Sequence, residues 1–500
     1  MNAHSDFTPT ASPIGPLTGG WRLEHSYARL PAGFFTSVSP TPVSSPRLVL
    51  LNRPLAEELG LDPAVLAQSE NTAWFAGNVL PPGAFPIAQA YAGHQYGNFV
   101  RLGDGRAILL GEQITPRGER FDIQLKGAGP TPYSRRGDGR AALGPMLREY
   151  IISEAMHALG IPTTRSLAVV ATGEPVFRET TLHGAILTRI ASSHLRVGTV
   201  EWAASTGEIE NLRALVDYTL QRHYPTLTNA EQPYVALLNA VLERQAALIA
   251  RWQHVGFVHG VMNTDNMALS GETIDYGPCA FMDGYHPAIT FSSIDQYGRY
   301  AYANQPKIAH WNLTRLASAM LPLLHTDEEE AVAVANSVLQ TFPEIFRTHW
   351  LVGQRAKLGL FNEEPGDAEL ADSLLSVMQA QGADFTNTFR DLSGEVMTNI
   401  ELAAHPEFRA WQTRWQARLG RQPQTTDEAR ALMRQHNPAF IPRNHKVEEA
   451  LAAATFHGDL SELEKLLDVI AQPFAYDRQL PDFSTPPAPD APAYKTFCGT

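Results

Sequence analysis

The stretch HGVMNTDNMALSGETIDYG (His259–Gly277) holds the polar residues that decide how the chain is interpreted. Asp265 and Asn266 stand side by side in it, and Asp275 lies near its end. Carboxylate and amide oxygens are the ligands that a hard cation such as Mg²⁺ prefers. Taken alone, however, NTDN is typical of an Asn/Asp turn and DYG of a strand end. The stretch therefore predicts a cation site only if other parts of the chain support it.

The spacing of this stretch follows the protein-kinase pattern H-R-D-x-x-x-x-N with a later D-F-G. Aligned on His259, the metal-binding asparagine of the pattern falls on Asn266, and its D-F-G aspartate falls on Asp275. The base position holds Val261, which can neither accept a proton nor bind a cation. Asp265 is then the nearest carboxylate that could take over the role of the base.

Two upstream stretches supply groups that bind phosphate. LGDGRAILLGE (Leu102–Glu112) places Gly103 and Gly105 before a strand, where bare backbone N–H groups can approach a phosphate, and Arg106 adds positive charge. The strand FDIQLK ends in Lys126, which is where the phosphate-binding lysine of a kinase stands on its third strand. Alone, the glycine pair is typical of a hairpin turn, and the lysine is typical of a solvated strand end.

The helix predicted over ALGPMLREYIISEAMHALGIP (Ala142–Pro162) adds an acid to this set. Its apolar residues recur at helical spacing, and Gly160 followed by Pro162 ends it. An inward-facing Glu149 would hold the Lys126 ammonium for the phosphates. An exposed helix acid is the simpler interpretation when Glu149 is considered alone.

Two charged segments flank this helix in sequence. SRRGDGRAAL (Ser134–Leu143) forms a second glycine-rich turn with Asp138 and Gly139 at the mouth of the helix, where a helix N-terminus attracts anions. Arg189 and Arg196 follow the helix in sequence. A single guanidinium group can bind two phosphate oxygens at once. Each segment alone is more typical of a solvated loop or of surface salt bridges.

The ordered combination of these motifs is much harder to obtain by chance than any one member. It predicts an ATP-binding core of α+β class, with a protein-kinase-like bilobal fold, an antiparallel-sheet N-lobe, a mainly helical C-lobe and a helical C-terminal extension. Five prolines between Pro481 and Pro492 exclude a helix or a central strand there. The predicted units are an N-terminal extended arm (1–60), the N-lobe (61–200), the C-lobe (201–330), the helical extension (331–480) and a Pro-rich tail (481–500).

The composition narrows the class of protein. The chain has 500 residues, of which 44% are hydrophobic, which is enough for two or three domains with large cores. Its net charge of -13 argues against nucleic acid as a partner. The N-terminal sequence lacks a signal-peptide pattern and no stretch is long and apolar enough for a membrane span, so we expect a cytoplasmic protein. Cys279 and Cys498 alone cannot form a disulfide framework or a four-thiolate zinc site.

Several long stretches resemble the selenoprotein O family, also called the YdiU family. They cover nearly the whole chain and are AYAGHQYGNF (Ala90–Phe99), LGDGRAILLGE, QLKGAGPTPYSRRGDGRAAL, HGVMNTDNMALSGETIDYGPCAFMD, GRYAYANQPKIAHWNLTRLA (Gly298–Ala317) and NPAFIPRNH (Asn437–His445). The resemblance implies a kinase-like fold that binds ATP in a flipped orientation and transfers AMP to protein hydroxyls. Moving the reactive phosphorus moves the place where a base is needed, which would account for Val261.

The resemblance also implies roles for individual residues. Lys126 would bind the phosphates and Glu149 would orient that lysine. Asp265 would accept the proton of the target hydroxyl, while Asn266 and Asp275 would hold Mg²⁺ or Mn²⁺. The nucleotide site would be completed by Gly103, Gly105, Arg106, Asp138, Gly139, Arg189 and Arg196. The implied partners are ATP, with UTP in some bacterial relatives, and proteins with Ser, Thr or Tyr acceptors, including the chain itself.

The family further suggests a redox control through a disulfide between the tail and the core. In this chain Cys498 could pair only with Cys279, and reduction would then free the tail and raise activity. Two unpaired, reduced cysteines in a cytosolic protein are the alternative.

Two other functions remain open from the residues alone. A conventional phosphotransferase would transfer the γ-phosphate, but Val261 stands where such an enzyme keeps its aspartate. A non-catalytic nucleotide-binding scaffold would have no need of Lys126, Glu149, Asn266 and Asp275 together. The choices between AMP and UMP and between Mg²⁺ and Mn²⁺ also stay open.

Overall fold

The computed structural model describes residues 19–488 and 490–496. A large antiparallel sheet dominates the first part of the chain and helices dominate the second, so the fold is mixed α and β. The strands are β1 (Leu23–Glu24), β2 (Phe35–Ser37), β3 (Arg47–Leu51), β4 (Ile87–Gln89), β5 (Ala92–Gln95), β6 (Asn98–Arg101), β7 (Ala107–Ile114), β8 (Arg120–Lys126), β9 (Ala141–Ala142), β10 (Arg165–Phe177), β11 (Thr181–Ala191), β12 (Phe257–Val258) and β13 (Ala280–Phe281).

Helices precede, interrupt and follow this sheet. They are α1 (Arg53–Glu58), α2 (Pro63–Leu66), α3 (Thr72–Ala76), α4 (Leu143–Ala158), α5 (Val197–Ser205), α6 (Ile209–His223), α7 (Pro233–His254), α8 (Gln305–Leu324), α9 (Glu328–Leu339), α10 (Phe342–Lys357), α11 (Asp367–Gln381), α12 (Phe385–Leu392), α13 (Ile400–Ala404), α14 (Pro406–Leu419), α15 (Thr426–His436), α16 (Asn444–Ala452), α17 (Ser461–Ile470) and α18 (Pro481–Ser484). None of the helices in the described residues has the length and apolar character needed to cross a bilayer.

The main sheet places Lys126 in an internal strand. Its strands follow the order β2-β4-β7-β8-β11-β10-β3, while β1 pairs with β7 and β9 pairs with β11. Strand β8 lies between β7 and β11, and Lys126 stands opposite Ala107 on one side and Leu187 on the other. Because side chains alternate between the two faces of a strand, Ile123 and Leu125 pack in one core while Lys126 projects from the opposite face.

Helix α4 brings Glu149 to the face of the sheet that carries Lys126. It packs against β10 and β11 and buries Leu147 and Ile151 completely. It ends at Ala158, and Gly160 follows with a φ of 73°, a left-handed conformation that glycine adopts without strain. The helix predicted from the periodicity of this segment is therefore present.

The described part of the predicted arm, residues 19–60, joins the main sheet. Strand β1 pairs with β7, β2 pairs with β4, and β3 pairs with β10 at the edge. The strands of the arm thus extend the main sheet by pairing with strands that follow them in sequence. Residues 1–18 lie outside the described part of the chain.

The expectation that the Pro-rich tail contains no helix was wrong at its first residues. Pro481–Ser484 form a helical turn, which proline permits at the first helical position because the amide there needs no partner. Farther along, the Thr496 hydroxyl donates to the carbonyl of Pro278 at 2.9 Å. The tail therefore reaches the segment that follows Asp275. Cys279 is buried and unpaired among the described residues, and Cys498 lies outside them.

Arg443, in the stretch NPAFIPRNH, ties the C-terminal helices to the segment after Asp275. Its side chain is 1% exposed. Its guanidinium donates to Asp283 at 2.7 Å, to Asp384 at 2.6 and 3.0 Å, and to the carbonyl of Ser484 at 3.1 Å. A single buried cation thus joins three segments that are far apart in sequence.

Removing the Arg443 side chain should strongly destabilise the fold. In Arg443→Ala two largely buried carboxylates lose their cation, and breaking a buried pair in this way costs about 3–5 kcal/mol. We expect a correspondingly lower free energy of unfolding in chemical denaturation. Arg478→Ala is the matched control, because Arg478 pairs with the well-exposed Asp468 and its loss should cost at most about 1 kcal/mol. Equal destabilisation by the two substitutions would contradict the assignment.

Candidate active site

A cavity of about 310 Å³ gathers most of the residues that the sequence singled out. It opens between the main sheet and the loop that carries Asp265 and Asn266. The predicted residues that line it are Gly105, Arg106, Lys126, Asp138, Gly139, Arg189, Arg196, Asp265, Asn266 and Asp275. The two predicted residues that do not line it are Gly103 and Glu149. Glu149 contacts Lys126 at 2.6 Å and Gly103 directly precedes Asp104, so the predicted set converges on one place.

Lys126 is the centre of a largely buried ionic network. Its ammonium contacts Glu149 at 2.6 Å and Asp275 at 2.5 Å, so the predicted pairing with Glu149 forms. Arg189 bridges the same two acids, at 2.6 Å from Glu149 and 3.0 Å from Asp275. Burial alone would raise the pKa of Glu149, but Arg189 and Lys126 outweigh it and lower that pKa. The network therefore holds two positive and two negative charges at the cavity wall.

Asp275 is the one member of this network with a substantially exposed side chain, at 33%. Its φ of 67° places the backbone in the left-handed region, which aspartate tolerates better than most residues. Burial by itself would raise its pKa, but Lys126 and Arg189 hold the pKa of Asp275 well below its ordinary value. The carboxylate is therefore ionised at neutral pH and turned toward the cavity.

Arg196 lines the cavity beside Asp265. Its guanidinium lies over the ring of Tyr91, 4.3 Å from the ring centroid, and its Nη1 donates to the backbone carbonyl of Asp265 at 3.2 Å. Asp104 lies 3.6 Å from its Nη2. The arginine thus links the turn between Gly103 and Gly105 to the loop that carries the candidate base.

Asp265 is 7% exposed and has an unusual environment for an aspartate. The Gln95 amide donates to its Oδ2 at 3.3 Å, whereas its Oδ1 has no hydrogen-bond partner among the described residues. Burial raises the pKa of Asp265 to about 6. A carboxylate with a pKa near the working pH is suited to general-base catalysis, because it can both accept and release a proton.

The loop around Asp265 is held by residues of the kinase-like pattern that have structural roles here. His259 is fully buried, stacks on Trp252, and its Nε2 lies 2.9 Å from the carbonyl of Ile274. The Asn266 amide nitrogen donates to the carbonyl of Val261 at 3.1 Å, which leaves its side-chain oxygen for another partner. Val261 therefore contributes to the loop through its backbone.

The glycine turns pack closely against neighbouring residues. A Cβ on Gly103 would lie 2.4 Å from the ring of Tyr133, and one on Gly139 would lie 2.1 Å from the carbonyl of Gly129. Asp138 forms two hydrogen bonds with Arg178, at 2.8 and 3.1 Å, and these lower its pKa. The ring of Tyr133, which precedes the second turn, thus packs against Gly103 of the first turn.

Sequence reasoning did not assign several residues that line the cavity to the site, among them Tyr91, Asp104, Gln124 and Arg178. Gln124 could have been found, because it precedes Lys126 by two residues in an alternating strand and so shares its face. Asp104 stands between the two glycines of the first turn and accepts hydrogen bonds from Gln124 and from the backbone of Gln89. Tyr91 and Arg178 gave no local signal, because tertiary contacts alone bring them to the site.

The donor set fits a divalent metal that is shared with phosphate. Asn266 and Asp275 both line the cavity with oxygen-bearing side chains. Within the described residues, no group of three or more His, Cys, Asp or Glu side chains is placed to hold a metal ion. Mg²⁺ in nucleotide sites is commonly held by one or two protein side chains together with phosphate oxygens and water. The two residues are compatible with that arrangement.

Comparison with known proteins identifies the family of the chain. The family model described as Protein adenylyltransferase SelO matches residues 21–471. The chain is 60% identical over 481 residues to the protein nucleotidyltransferase YdiU of Bacillus mycoides (strain KBAB4), covering 96% of this chain and 99% of that protein. It is also 60% identical over 481 residues to the protein of the same name from Alkaliphilus metalliredigens (strain QYMF), covering 96% of this chain and 98% of the relative. With its cation-lined cavity and buried carboxylate, the chain belongs to the SelO family of protein adenylyltransferases.

Proposed function

We propose that this protein transfers AMP from ATP to hydroxyl groups of Ser, Thr or Tyr in other proteins and in itself. The observation that carries the proposal is that the predicted cations and a buried carboxylate whose pKa is raised to about 6 line a single cavity. The cations are Arg106, Lys126, Arg189 and Arg196, and the carboxylate is Asp265. Lysine and arginine side chains bind phosphate oxygens, and a base with a raised pKa matches an acceptor hydroxyl.

The proposal includes the kinase-like arrangement that the motifs indicate. The sheet with Lys126 and α4 corresponds to an N-lobe, the helices around the Asp265 loop correspond to a C-lobe, and residues 331–480 extend the C-lobe. ATP is held in the flipped orientation, with its α-phosphate facing the acceptor. The arginines at positions 189 and 196 support this orientation, because they add positive charge that Lys126 alone does not supply. The glycine turns with Gly103, Gly105, Asp138 and Gly139 complete the nucleotide site.

At the α-phosphorus, the reaction forms one bond and breaks one. The acceptor hydroxyl oxygen attacks the α-phosphorus, the bond from that phosphorus to the oxygen bridging to the β-phosphate breaks, and pyrophosphate leaves. Asp265 accepts the hydroxyl proton, and the cations at the cavity wall stabilise the charge that develops on the phosphate oxygens. Mg²⁺ or Mn²⁺ held by Asn266 and Asp275 would supply further charge neutralisation at the phosphates.

The other functions are less well supported. A γ-phosphoryl transferase would need a base at position 261, and valine provides none. A scaffold without catalysis would not require a buried carboxylate whose pKa is raised to about 6 beside the cation-lined cavity. UTP could replace ATP as the nucleotide, since the residues proposed for the phosphates do not distinguish the nucleobase.

We also propose a cytoplasmic location, where ATP and acceptor proteins are available.

Labelled nucleotides test the proposed reaction directly. We expect protein-bound label from ATP labelled on the α-phosphate and none from ATP labelled on the γ-phosphate, in the presence of Mg²⁺ or Mn²⁺ and a general acceptor protein. Asp275→Ala should abolish the labelling, because it removes a proposed metal ligand. Label from the γ-phosphate would instead indicate a kinase, and tight ATP binding without any label would indicate a scaffold.

The pH dependence of transfer tests the role of Asp265. A base must be ionised to accept a proton, and burial raises the pKa of Asp265 to about 6, so the rate should be constant above that pH and fall below it. The fall should be roughly tenfold per pH unit, measured as initial rates at saturating ATP. The lowered pKa values of Glu149 and Asp275 keep the nucleotide site ionised over the same range.

Asp265→Asn is the matched variant for this profile. It preserves the size of the side chain but removes the base, so the rate should drop by about 10²–10⁴-fold and lose its dependence on pH near 6. ATP affinity should stay unchanged, because Asp265 is not proposed to hold the nucleotide. A variant with wild-type rates would contradict the assignment of Asp265 as the proton acceptor.

A further inference from the structure

Two stretches of the family resemblance have no role in the proposed reaction, yet they meet beside Asp265. One contains the β5–β6 hairpin, Ala92–Arg101, which pairs only with itself among the described strands. The other runs from Gly298 into α8 and contains Arg299, Trp311 and Arg315. They are separated by about two hundred residues in sequence, so only the tertiary fold brings them together.

The hairpin lies directly on the loop that carries Asp265. A Cβ on Gly93 would lie 2.2 Å from Oδ1 of Asp265, so only glycine allows this approach. The backbone amide of His94 donates to the Thr264 hydroxyl at 2.7 Å. Because Gln95 also donates to Asp265, three successive hairpin residues contact the loop. Any surface formed by this hairpin therefore adjoins the candidate base.

The second stretch is attached to the same loop. The Tyr300 hydroxyl donates to the side-chain oxygen of Asn263 at 2.6 Å, and the backbone amide of Tyr96 donates to that oxygen at 3.1 Å. The rings of Tyr96 and Tyr300 are 5.1 Å apart. Asn263 thus fixes the hairpin and the Gly298 stretch to each other, two residues before Asp265.

Trp311 is the centre of the surface that the two stretches form. The guanidinium groups of Arg299 and Arg315 lie 4.9 and 5.3 Å from its ring centroid. The His94 ring meets it edge-on at 5.4 Å, and Phe99 in turn meets His94 at 5.4 Å with 45% of its own side chain exposed. We call these five residues the Trp311 face. Arginine and large aromatic side chains are the residues most enriched at the centres of protein interfaces.

The two arginines of the Trp311 face are not paired with acids in the described part of the chain, although Glu201 contacts His94 at 2.5 Å and Asp295 accepts a hydrogen bond from the backbone amide of Arg299 at 2.9 Å. Neither Arg299 nor Arg315 forms an ion pair with a carboxylate of the described residues, and the Nε atoms of both are buried without a hydrogen-bond partner there. Most arginines around the active-site cavity, by contrast, are paired with acids. The chain as a whole carries a net charge of -13, so two arginines without an ion pair in the described chain are not explained by composition.

We propose that the Trp311 face docks the acceptor protein, and that it selects segments in which acidic residues flank the acceptor hydroxyl. This inference rests on the proposed function, because it assigns the surface by which the acceptor reaches Asp265. The two guanidinium groups pair with the flanking carboxylates, while Trp311 and Phe99 cover the apolar parts of the segment. The acceptor hydroxyl is thereby presented along the hairpin to the loop that carries the base.

Synthetic peptides with one central tyrosine test this selection. Three versions carry glutamate, glutamine or lysine on both sides of the tyrosine, and transfer from ATP labelled on the α-phosphate is measured for each. We expect the glutamate peptide to have the lowest KM and the lysine peptide the highest. The advantage of the glutamate peptide should shrink as salt is raised, because exposed charge pairs are screened.

The double variant Arg299→Gln/Arg315→Gln locates the effect. We expect its KM for the glutamate peptide to rise about tenfold, as for the loss of two partly exposed charge pairs, with kcat and ATP affinity unchanged. Its KM for the glutamine peptide should hardly change. Arg47→Gln/Arg409→Gln is the matched control, since it removes the same charge from exposed arginines on β3 and α14 and should leave all three peptides unaffected.

Binding measurements separate the docking surface from the reaction. The glutamate peptide with phenylalanine in place of tyrosine should bind the wild-type protein about tenfold more tightly than the Arg299→Gln/Arg315→Gln variant, as measured by fluorescence anisotropy. Transfer to all three peptides with equal KM, or equal binding to wild type and variant, would overturn the docking proposal and leave the proposed function intact. Charge-selective binding with label from the γ-phosphate only would overturn the proposed function and keep the docking surface.

Discussion

The ionic network of Lys126, Glu149, Arg189 and Asp275 is the constraint on which the site depends. Charges taken out of water are tolerated only when they are paired, so each member fixes the position of the others. The network joins strand β8, helix α4, strand β11 and the loop before β13, which are four separate parts of the fold. Its balance of two positive and two negative charges leaves Asp275 ionised and accessible from the cavity. A nucleotide and its metal would therefore meet charges whose positions are already set.

A second constraint governs the part of the site around Asp265. Asp265 lies under the β5–β6 hairpin, whose glycine at position 93 permits the close contact. The same burial that raises its pKa also excludes water from the carboxylate, which suits a base that must take a proton from a protein hydroxyl. The valine at position 261 is then compatible with the proposed reaction, because the proposed base, Asp265, is four residues farther along the chain. The hairpin thus connects the chemistry of the base with the surface available to acceptors.

The C-terminal helices support this arrangement from outside the cavity. Arg443 holds Asp283 and Asp384 together, and Asn444 donates to the carbonyl of Phe281 in β13. The stretch NPAFIPRNH, which contains both residues, therefore stabilises the segment that follows Asp275. The tail adds a further contact at Thr496, next to Pro278. The helical region thus braces the segment that follows Asp275.

The sequence by itself determined the local elements and the types of residue at the site. Alternation in FDIQLK placed Lys126 on a strand, helical spacing placed Glu149 on α4, and the spacing from His259 to Asp275 identified the loop residues. These signals are local, because periodicity and turn chemistry act over a few neighbouring residues. Tertiary structure alone decided the partners: the bridging position of Arg189, the contact of Arg196 with Tyr91, the raised pKa of Asp265, and the meeting of the β5–β6 hairpin with Trp311. Burial and pairing depend on which distant segments pack together, and no local pattern in the chain encodes that.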